Sequence, residues 1–347
     1  MLGTRKVVLF NQWFSSIGSI IDDIKKNIGH RVIIIGTSKN PNHVYKNNVN
    51  IFVKEQWETD EEYIEFMLKT CKEYRVDIFI CKKKAKLIML NKERFDELGV
   101  KILYEDIDTI EKTEDKIQVY NKLKDTIPSI IPFYTHTDNK SEAIKLITDS
   151  DKKLCMKLSN DEGGFSFREI VDKEVNFNTL SGYWVNKLRK NEAIELIESL
   201  NEEELSKIMF MEMLDGPEIS VDCYNSLNGF IAICRTKEGR CEKIFRDSTI
   251  ENICYNIGKI YNFKNIFNVQ FRFKPGSNGD ITEQNLRLLE INTRVSGGMY
   301  LEVECGLNLL LYELYDIFED TKEYNLEKFS DFKEKYVSHI EKAAILS

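Results

Sequence analysis

Apolar residues recur along the chain in two periods, and their alternation predicts most of its architecture. Strands are predicted over 6–10, 32–35, 51–53, 77–81 and 101–103, with helical periodicity over 17–28, 60–74 and 85–98 between them. Short apolar strands alternating with helices predict a parallel sheet covered on both faces, because such strands have no polar side to turn to water. Residues 1–106 therefore read as one open α/β domain. Its first turn, residues 11–18, follows the carboxyl end of a strand, where open sheets bind ligands, yet lacks the G-x-G-x-x-G fingerprint of a dinucleotide site. A ligand role and a packing role both fit that turn. The lysines at 82, 83, 84 and 86 read as the solvated start of a helix.

Beyond this domain the pattern changes. A helix is predicted from 111 to about 124, and Pro128 and Pro132 then break the chain before a helix over 141–148 and a strand over 154–158. A small polar loop over 159–166, containing Gly163 and Gly164, precedes apolar sequence at 167–171. Such a loop can fold its backbone N–H groups over phosphates, and it can equally be a plain hairpin turn. Helical, charge-rich sequence over 186–207 leads into a strand over 208–214 and a tight turn at Asp215, Gly216 and Pro217. Paired strands are predicted over 218–224 and 229–236, a helix over 249–261, and an antiparallel hairpin of strands 267–274 and 281–292 around a turn-rich segment. A last amphipathic helix covers 308–319. The predicted fold class is mixed α/β and α+β, divided as 1–106, 107–214 and 215–347.

The chemistry concentrates in residues 288–298, Leu-Leu-Glu-Ile-Asn-Thr-Arg-Val-Ser-Gly-Gly. On a strand, the period of two puts Glu290 and Asn292 on one face and Leu289 and Ile291 toward a core. Two oxygen donors on a rigid strand suit magnesium, which takes few protein ligands and keeps its other positions for phosphate and water. The hairpin register can add Gln270, which shares a face with Arg272. Arg294 offers a planar fork of donors for a phosphate or carboxylate, and Gly297 and Gly298 allow close backbone approach to a ligand. An ordinary half-buried strand ending in a surface arginine explains the same residues without a ligand.

Composition narrows the classes of partner. The net charge of −8 argues against nucleic acid, whose phosphates need a positive surface. The eight cysteines form no C-x-x-C pair and no cluster with the four histidines, which disfavours zinc and a redox dithiol and suits buried free thiols in a reducing cytoplasm. No leader and no apolar run of membrane-spanning length is seen, so a soluble cytoplasmic protein is expected, with self-association left open.

Taken in chain order, a lysine at a domain entry, a lysine before a glycine-bearing loop, the run Glu212-Met213-Leu214-Asp215-Gly216-Pro217-Glu218 and the run Glu290-Ile291-Asn292-Thr293-Arg294-Val295-Ser296-Gly297-Gly298 resemble the ATP-grasp superfamily. The likeness is to the ATP-grasp halves of carbamoyl-phosphate synthetase large subunits and to related carboxylate-amine ligases. It implies an N-terminal α/β domain, a small central domain and a C-terminal antiparallel domain, with ATP held between the last two. It also implies that Lys116 and Lys157 meet the phosphates, that the loop with Gly163 and Gly164 covers them, that the backbone of Glu212, Met213 and Leu214 reads adenine, and that Glu218 takes the ribose hydroxyls. Gln270, Glu290 and Asn292 would hold Mg2+, with Mn2+ as the alternative, and Arg294 would meet the transferring phosphoryl group beside Lys157. Arg235, Arg246 and Arg272 are further candidates for a substrate carboxylate. The implied activity is ATP-dependent joining of a carboxylate to an amine through an acyl phosphate. Phosphorylation of bicarbonate or carbamate, and ATP binding without catalysis, are the alternatives.

Overall fold

The computed structural model describes residues 5–11, 16–161, 164–172, 186–319 and 327–340. Strands β1 (Lys6–Phe10), β2 (Val32–Ser38), β3 (Ile51–Lys54), β4 (Ile78–Ile80) and β5 (Lys101–Leu103) form the predicted parallel sheet, in the order β3-β2-β1-β4-β5. The period of two sorts its side chains into two cores: Val8, Phe10, Ile34, Ile78 and Ile80 enter one, and Leu9, Ile35 and Phe79 the other. Helices α1 (Ile17–Ile28) and α2 (Asp60–Tyr74) have the predicted bounds. A reciprocal capping box of Thr59 and Glu62 opens α2, and Arg75 closes it in the left-handed conformation. The helix predicted over 85–98 is instead two, α3 (Ala85–Leu90) and α4 (Lys92–Asp96), divided at Asn91, whose backbone leaves the helical region.

The lysines before α3 are not a solvated helix start. Lys82 is buried. The Lys83 ammonium lies 2.5 Å from Glu55, whose side chain is wholly enclosed. Glu55 also accepts from Thr37 Oγ1 and Trp57 Nε1, so each of its oxygens is used and its burial is compensated.

A second sheet contains β6 (Tyr134–Thr135), β7 (Leu154–Leu158), β8 (Arg168–Val171), β9 (Lys187–Arg189) and β10 (Ile208–Glu212), in the order β6-β10-β7-β8-β9. Its pairs are antiparallel except β8 with β9. The helices of this stretch are α5 (Ile107–Glu114), α6 (Lys116–Leu123), α7 (Lys140–Asp149), α8 (Lys190–Ser199) and α9 (Glu202–Ser206). Ala143 and Ile147 of α7 and Ala193 and Ile197 of α8 pack with Met156, Ile170 and Phe210 of the sheet. The helix predicted from 111 to 124 is interrupted at Asp115, which is extended and caps α6 by accepting the Gln118 N–H. The helical run predicted over 186–207 begins with β9 and divides at Asn201, which forms a capping box with Glu204.

The third sheet has the order β15-β14-β11-β12-β13-β16, from β11 (Asp215–Ser226), β12 (Gly229–Glu238), β13 (Cys241–Phe245), β14 (Phe267–Phe273), β15 (Leu286–Asn292) and β16 (Lys335–Val337). The pairs β11/β12, β12/β13 and β13/β16 are antiparallel. Helices α10 (Ser248–Tyr261), α11 (Met299–Glu304), α12 (Leu309–Ile317) and α13 (Glu327–Ser330) accompany it. The strand predicted over 281–292 is shortened, because Lys274 N–H already closes the loop on Asn285 C=O at 2.6 Å.

Two compact units result, each assembled from separated stretches. The first comprises Met1–Glu111, Ile219–Val269 and Ile291–Ser347, and the second Lys112–Glu218 and Gln270–Glu290. Every cysteine is a free thiol, and all except Cys241 are buried. Among the described residues no helix is long and apolar enough to cross a membrane.

Gly216 shows why the turn predicted at 215–217 is instead the irregular start of β11. Its φ is +72°, and a Cβ there would lie 2.9 Å from Phe273 Cδ2. Gly216→Ala should therefore cost about 1–3 kcal/mol of stability, read as a lower urea midpoint at unchanged m-value. A midpoint equal to wild type would remove the requirement for glycine.

Candidate functional site

Lys116, Lys157, Gly164, Glu212, Met213, Leu214, Glu218, Gln270, Arg272 and Glu290 line one cavity of about 570 Å3, and all belong to the second unit. That volume is in the range of small-molecule sites. Lys116 is the first residue of α6, and its placement follows from the cap before it. Asp115 accepts the Ser159 hydroxyl at 2.8 Å, and the Lys116 N–H donates to Ser159 C=O at 2.9 Å, which ties the helix start to the chain leaving β7. The Lys116 ammonium donates to Asp161 C=O at 2.6 Å and lies 3.5 Å from Glu290 Oε2.

The loop after β7 is closed on itself. Asp161 accepts the Ser166 N–H at 2.6 Å, and Ser166 Oγ accepts the Leu158 N–H at 3.0 Å. Gly164 has a φ of +69°, and Phe165 beside it is 82% exposed. Gly163 lies outside the described residues. Asp161 was not among the residues selected from sequence; a carboxylate five positions before a serine in a small polar loop is the signal that marks it.

At the end of β10, Glu212 Oε1 accepts the Phe133 N–H at 2.9 Å and Met213 N–H donates to Lys153 C=O at 2.7 Å, so this stretch of backbone is held on both sides. Cys155, Met211, Leu214 and Leu289 supply apolar wall. Leu289, predicted for the core, is half-buried in this wall, and Leu288 is the enclosed neighbour. The alternation slips because β15 is an edge strand whose Leu288 and Leu289 carbonyls both accept from Tyr120 Oη, at 2.9 and 2.8 Å.

The other candidates belong to the first unit. Asn292 and Arg294 follow Glu290 by two and four residues. Arg246 donates to Phe329 C=O and to Glu251, each at 2.6 Å, and Arg235 sits among buried acids.

A family model described as "ATP-grasp in the biosynthetic pathway with Ter operon" matches residues 204–340. No curated protein sequence matches the chain. Solved structures do. N5-carboxyaminoimidazole synthetase from Staphylococcus aureus is 13% identical over 91% of this chain and 78% of its own, with a TM-score of 0.60. The biotin carboxylase domain of the Hydrogenobacter thermophilus 2-oxoglutarate carboxylase, solved with MgADP, ADP and bicarbonate, is 13% identical over 94% and 72%, with a TM-score of 0.64. L-amino acid ligase from Bacillus licheniformis is 13% identical over 91% and 75%, with a TM-score of 0.56. The chain has the ATP-grasp fold.

Within the cavity the charges are unevenly matched. The side chains of Lys157 and Arg272 make no hydrogen bond or ion pair among the described residues. Burial, and then the Lys116 ammonium nearby, push Lys157 down to about 8. Glu290 and Gln270 bring oxygen donors suited to a hard divalent cation, and the Lys116 ammonium shows that Glu290 already faces positive charge. Among the described residues no three His, Cys, Asp or Glu gather as a metal cage, so phosphate oxygens would have to complete the coordination of a magnesium ion.

An anion beside Lys157 favours its charged form, so nucleotide binding should raise its proton affinity. Near pH 9, above the ligand-free value of about 8, ATP binding should take up close to one proton, seen by calorimetry in buffers of different ionisation enthalpy. Lys157→Met should abolish that uptake. The variant should also stabilise the ligand-free protein most below pH 8: there the wild type must charge a desolvated lysine, and that cost fades as pH climbs from about 8 toward the unfolded value of 10.5. Unchanged proton uptake in the variant would take Lys157 out of the site.

Proposed function

We propose that the protein is an ATP-dependent ligase that activates a carboxylate as an acyl phosphate, releasing ADP, and joins it to an amine. The observation that carries this reading is the pair Lys157 and Arg272, cations without a partner among the described residues, in one cavity with Lys116, Glu290 and Gln270. Partly desolvated positive charge is costly until an anion arrives, and a triphosphate is an anion of the right size and charge.

On this reading adenine lies against the apolar wall and meets the backbone of Glu212, Met213 and Leu214, and Glu218 accepts the ribose hydroxyls. Lys116 and Lys157 hold the phosphates under the loop that carries Gly163 and Gly164. Gln270 and Glu290, with Asn292 two residues on, would hold magnesium or manganese, and the metal would neutralise phosphate charge. A substrate carboxylate oxygen attacks the γ-phosphorus, the bond to the bridging oxygen breaks, and ADP leaves. Arg294 and Lys157 neutralise the transferring phosphoryl group. The amine nitrogen then attacks the acyl carbon, the carbon–oxygen bond to phosphate breaks, and phosphate departs with the proton lost by nitrogen. Positioning and charge neutralisation suffice for both steps, and no enzyme nucleophile is needed.

Bicarbonate in place of an organic carboxylate is a second reading, favoured by its presence with MgADP in a structure of the same fold. ADP release measured with magnesium across pools of carboxylates, bicarbonate and amines separates the two. Lack of stimulation by every pool, with ATP binding intact, would leave only a nucleotide-binding module.

Two substitutions test the residue roles. Glu290→Gln should fold normally while ADP formation falls by roughly 10²-fold or more, since it keeps the shape and removes the charge that a metal needs. A lower melting temperature with wild-type ADP formation would instead make Glu290 an ion-pair residue. Glu218→Gln should raise KM for ATP more than it lowers kcat, because ribose contacts are made alike in ground and transition states. A fall in kcat at constant KM would move Glu218 into the chemistry.

A further inference from the structure

Arg235, in β12, has Ser220 of β11 and Ile244 of β13 as its cross-strand neighbours, and its Nη1 and Nη2 are hydrogen-bonded while its buried Nε is not. It donates to Glu242 at 3.2 Å, to Ser220 Oγ at 3.1 Å and to Ser296 Oγ at 3.2 Å. Ser296 in turn donates to Asp222 at 2.6 Å, and Asn268 Nδ2 donates to both Ser220 Oγ and Asp222 Oδ1. Glu302, in α11, lies 3.8 Å from Arg235 Nε, and the side chains of Asp222 and Glu302 are wholly enclosed. All of these residues belong to the first unit.

The network closes around one turn. Ser296 precedes Gly297 and Gly298, Gly298 caps α11, and Glu302 lies in the first turn of that helix. A Cβ on Gly298 would fall inside the Arg235 guanidinium, so the backbone and the cation are packed face to face. Two enclosed carboxyls for one guanidinium would leave excess negative charge. Burial, and next the charge of Asp222, push the Glu302 carboxyl well up.

We infer that Arg235 is a positioning residue: by gripping the Ser296 hydroxyl and the Gly298 backbone it sets the turn that follows Arg294, and so fixes where Arg294 presents its guanidinium. This rests on the ligase reading only for what Arg294 does there, not for the grip itself. The reason for such a grip is geometric. Arg294 is two residues from Ser296 and just past the end of β15, so its backbone runs directly into the gripped turn. A misplacement of about 1 Å in a catalytic group can cost about 10²-fold in rate.

Arg235→Gln should lower kcat for ADP release by about 10²-fold while KM for ATP stays at its wild-type value, because neither Arg235 nor any residue it is bonded to lines the nucleotide cavity. Ser296→Ala, which removes one grip, should give a smaller loss of the same type. Gly298→Ala should lower kcat in the wild type but not further in the Arg235→Gln background, since the clash needs the guanidinium. A crystal structure of Arg235→Gln should show the turn displaced with β15 in place. Lower melting temperature with unchanged kcat, or additive losses in the double variant, or an undisplaced turn, would overturn the inference. Wild-type protein that releases no ADP with any pool would defeat the ligase reading instead, and the turn in the crystal structure would still decide the grip.

Discussion

Positive charge held in a partly dry cavity is the constraint on which the site of the second unit depends: burial, and then the nearby Lys116 ammonium, disfavour the charged form of Lys157. Lys116 meets it by donating to a backbone carbonyl and facing Glu290, whereas Lys157 has neither and sheds proton affinity instead. Arg272 adds a guanidinium to the same cavity. The protein therefore carries an arrangement that is costly when empty and relieved by an anion. Such tension is normal where binding groups are preorganised for charge that arrives with a ligand.

Preorganisation of this kind needs rigid supports, and the strands provide them. Lys157 stands in the middle sheet between β10 and β8, and Gln270 and Arg272 alternate with buried Phe271 and Phe273 on β14. The mobile-looking elements of sequence are also tied. Asp161 bonds to Ser166 N–H and, through its carbonyl, to Lys116 of α6, so the described residues on either side of the loop after β7 are tied. Tyr120 does the same for the edge strand β15 by donating to two successive carbonyls.

The first unit solves a different electrostatic problem with similar means. Glu55 and Asp222 are enclosed carboxylates, and each is satisfied by a cation together with neutral donors. Lys83 reaches Glu55 from 28 residues along the chain, whereas Arg235 reaches Asp222 from the adjacent strand of a hairpin. Glu313, by contrast, is enclosed in the apolar helix α12 with Oε1 lacking a hydrogen bond, and burial raises it to about 8, so near neutral pH it is held largely as the uncharged acid.

Local spacing was enough to determine much of this chain. The helices over 17–28 and 60–74, the strands over 6–10, 101–103 and 154–158, and the parallel character of the first sheet all follow from the period of apolar residues, because that period is a property of consecutive positions. The ordered motifs from Lys116 to Arg294 were also legible, and those of the second unit do meet in one cavity. Where a residue's role depends on a partner far along the chain, spacing carries no trace of it. The lysine run became partly buried because Glu55 waits for it, the helix at 111–124 broke because Asp115 caps α6 and binds Ser159, and Leu289 turned to the cavity because Tyr120 holds its strand edge. The proton affinity of Lys157 and the enclosure of Arg235 by Asp222 and Glu302 were likewise decided only in three dimensions, since desolvation and Coulomb interaction depend on distance in space and not on separation in sequence.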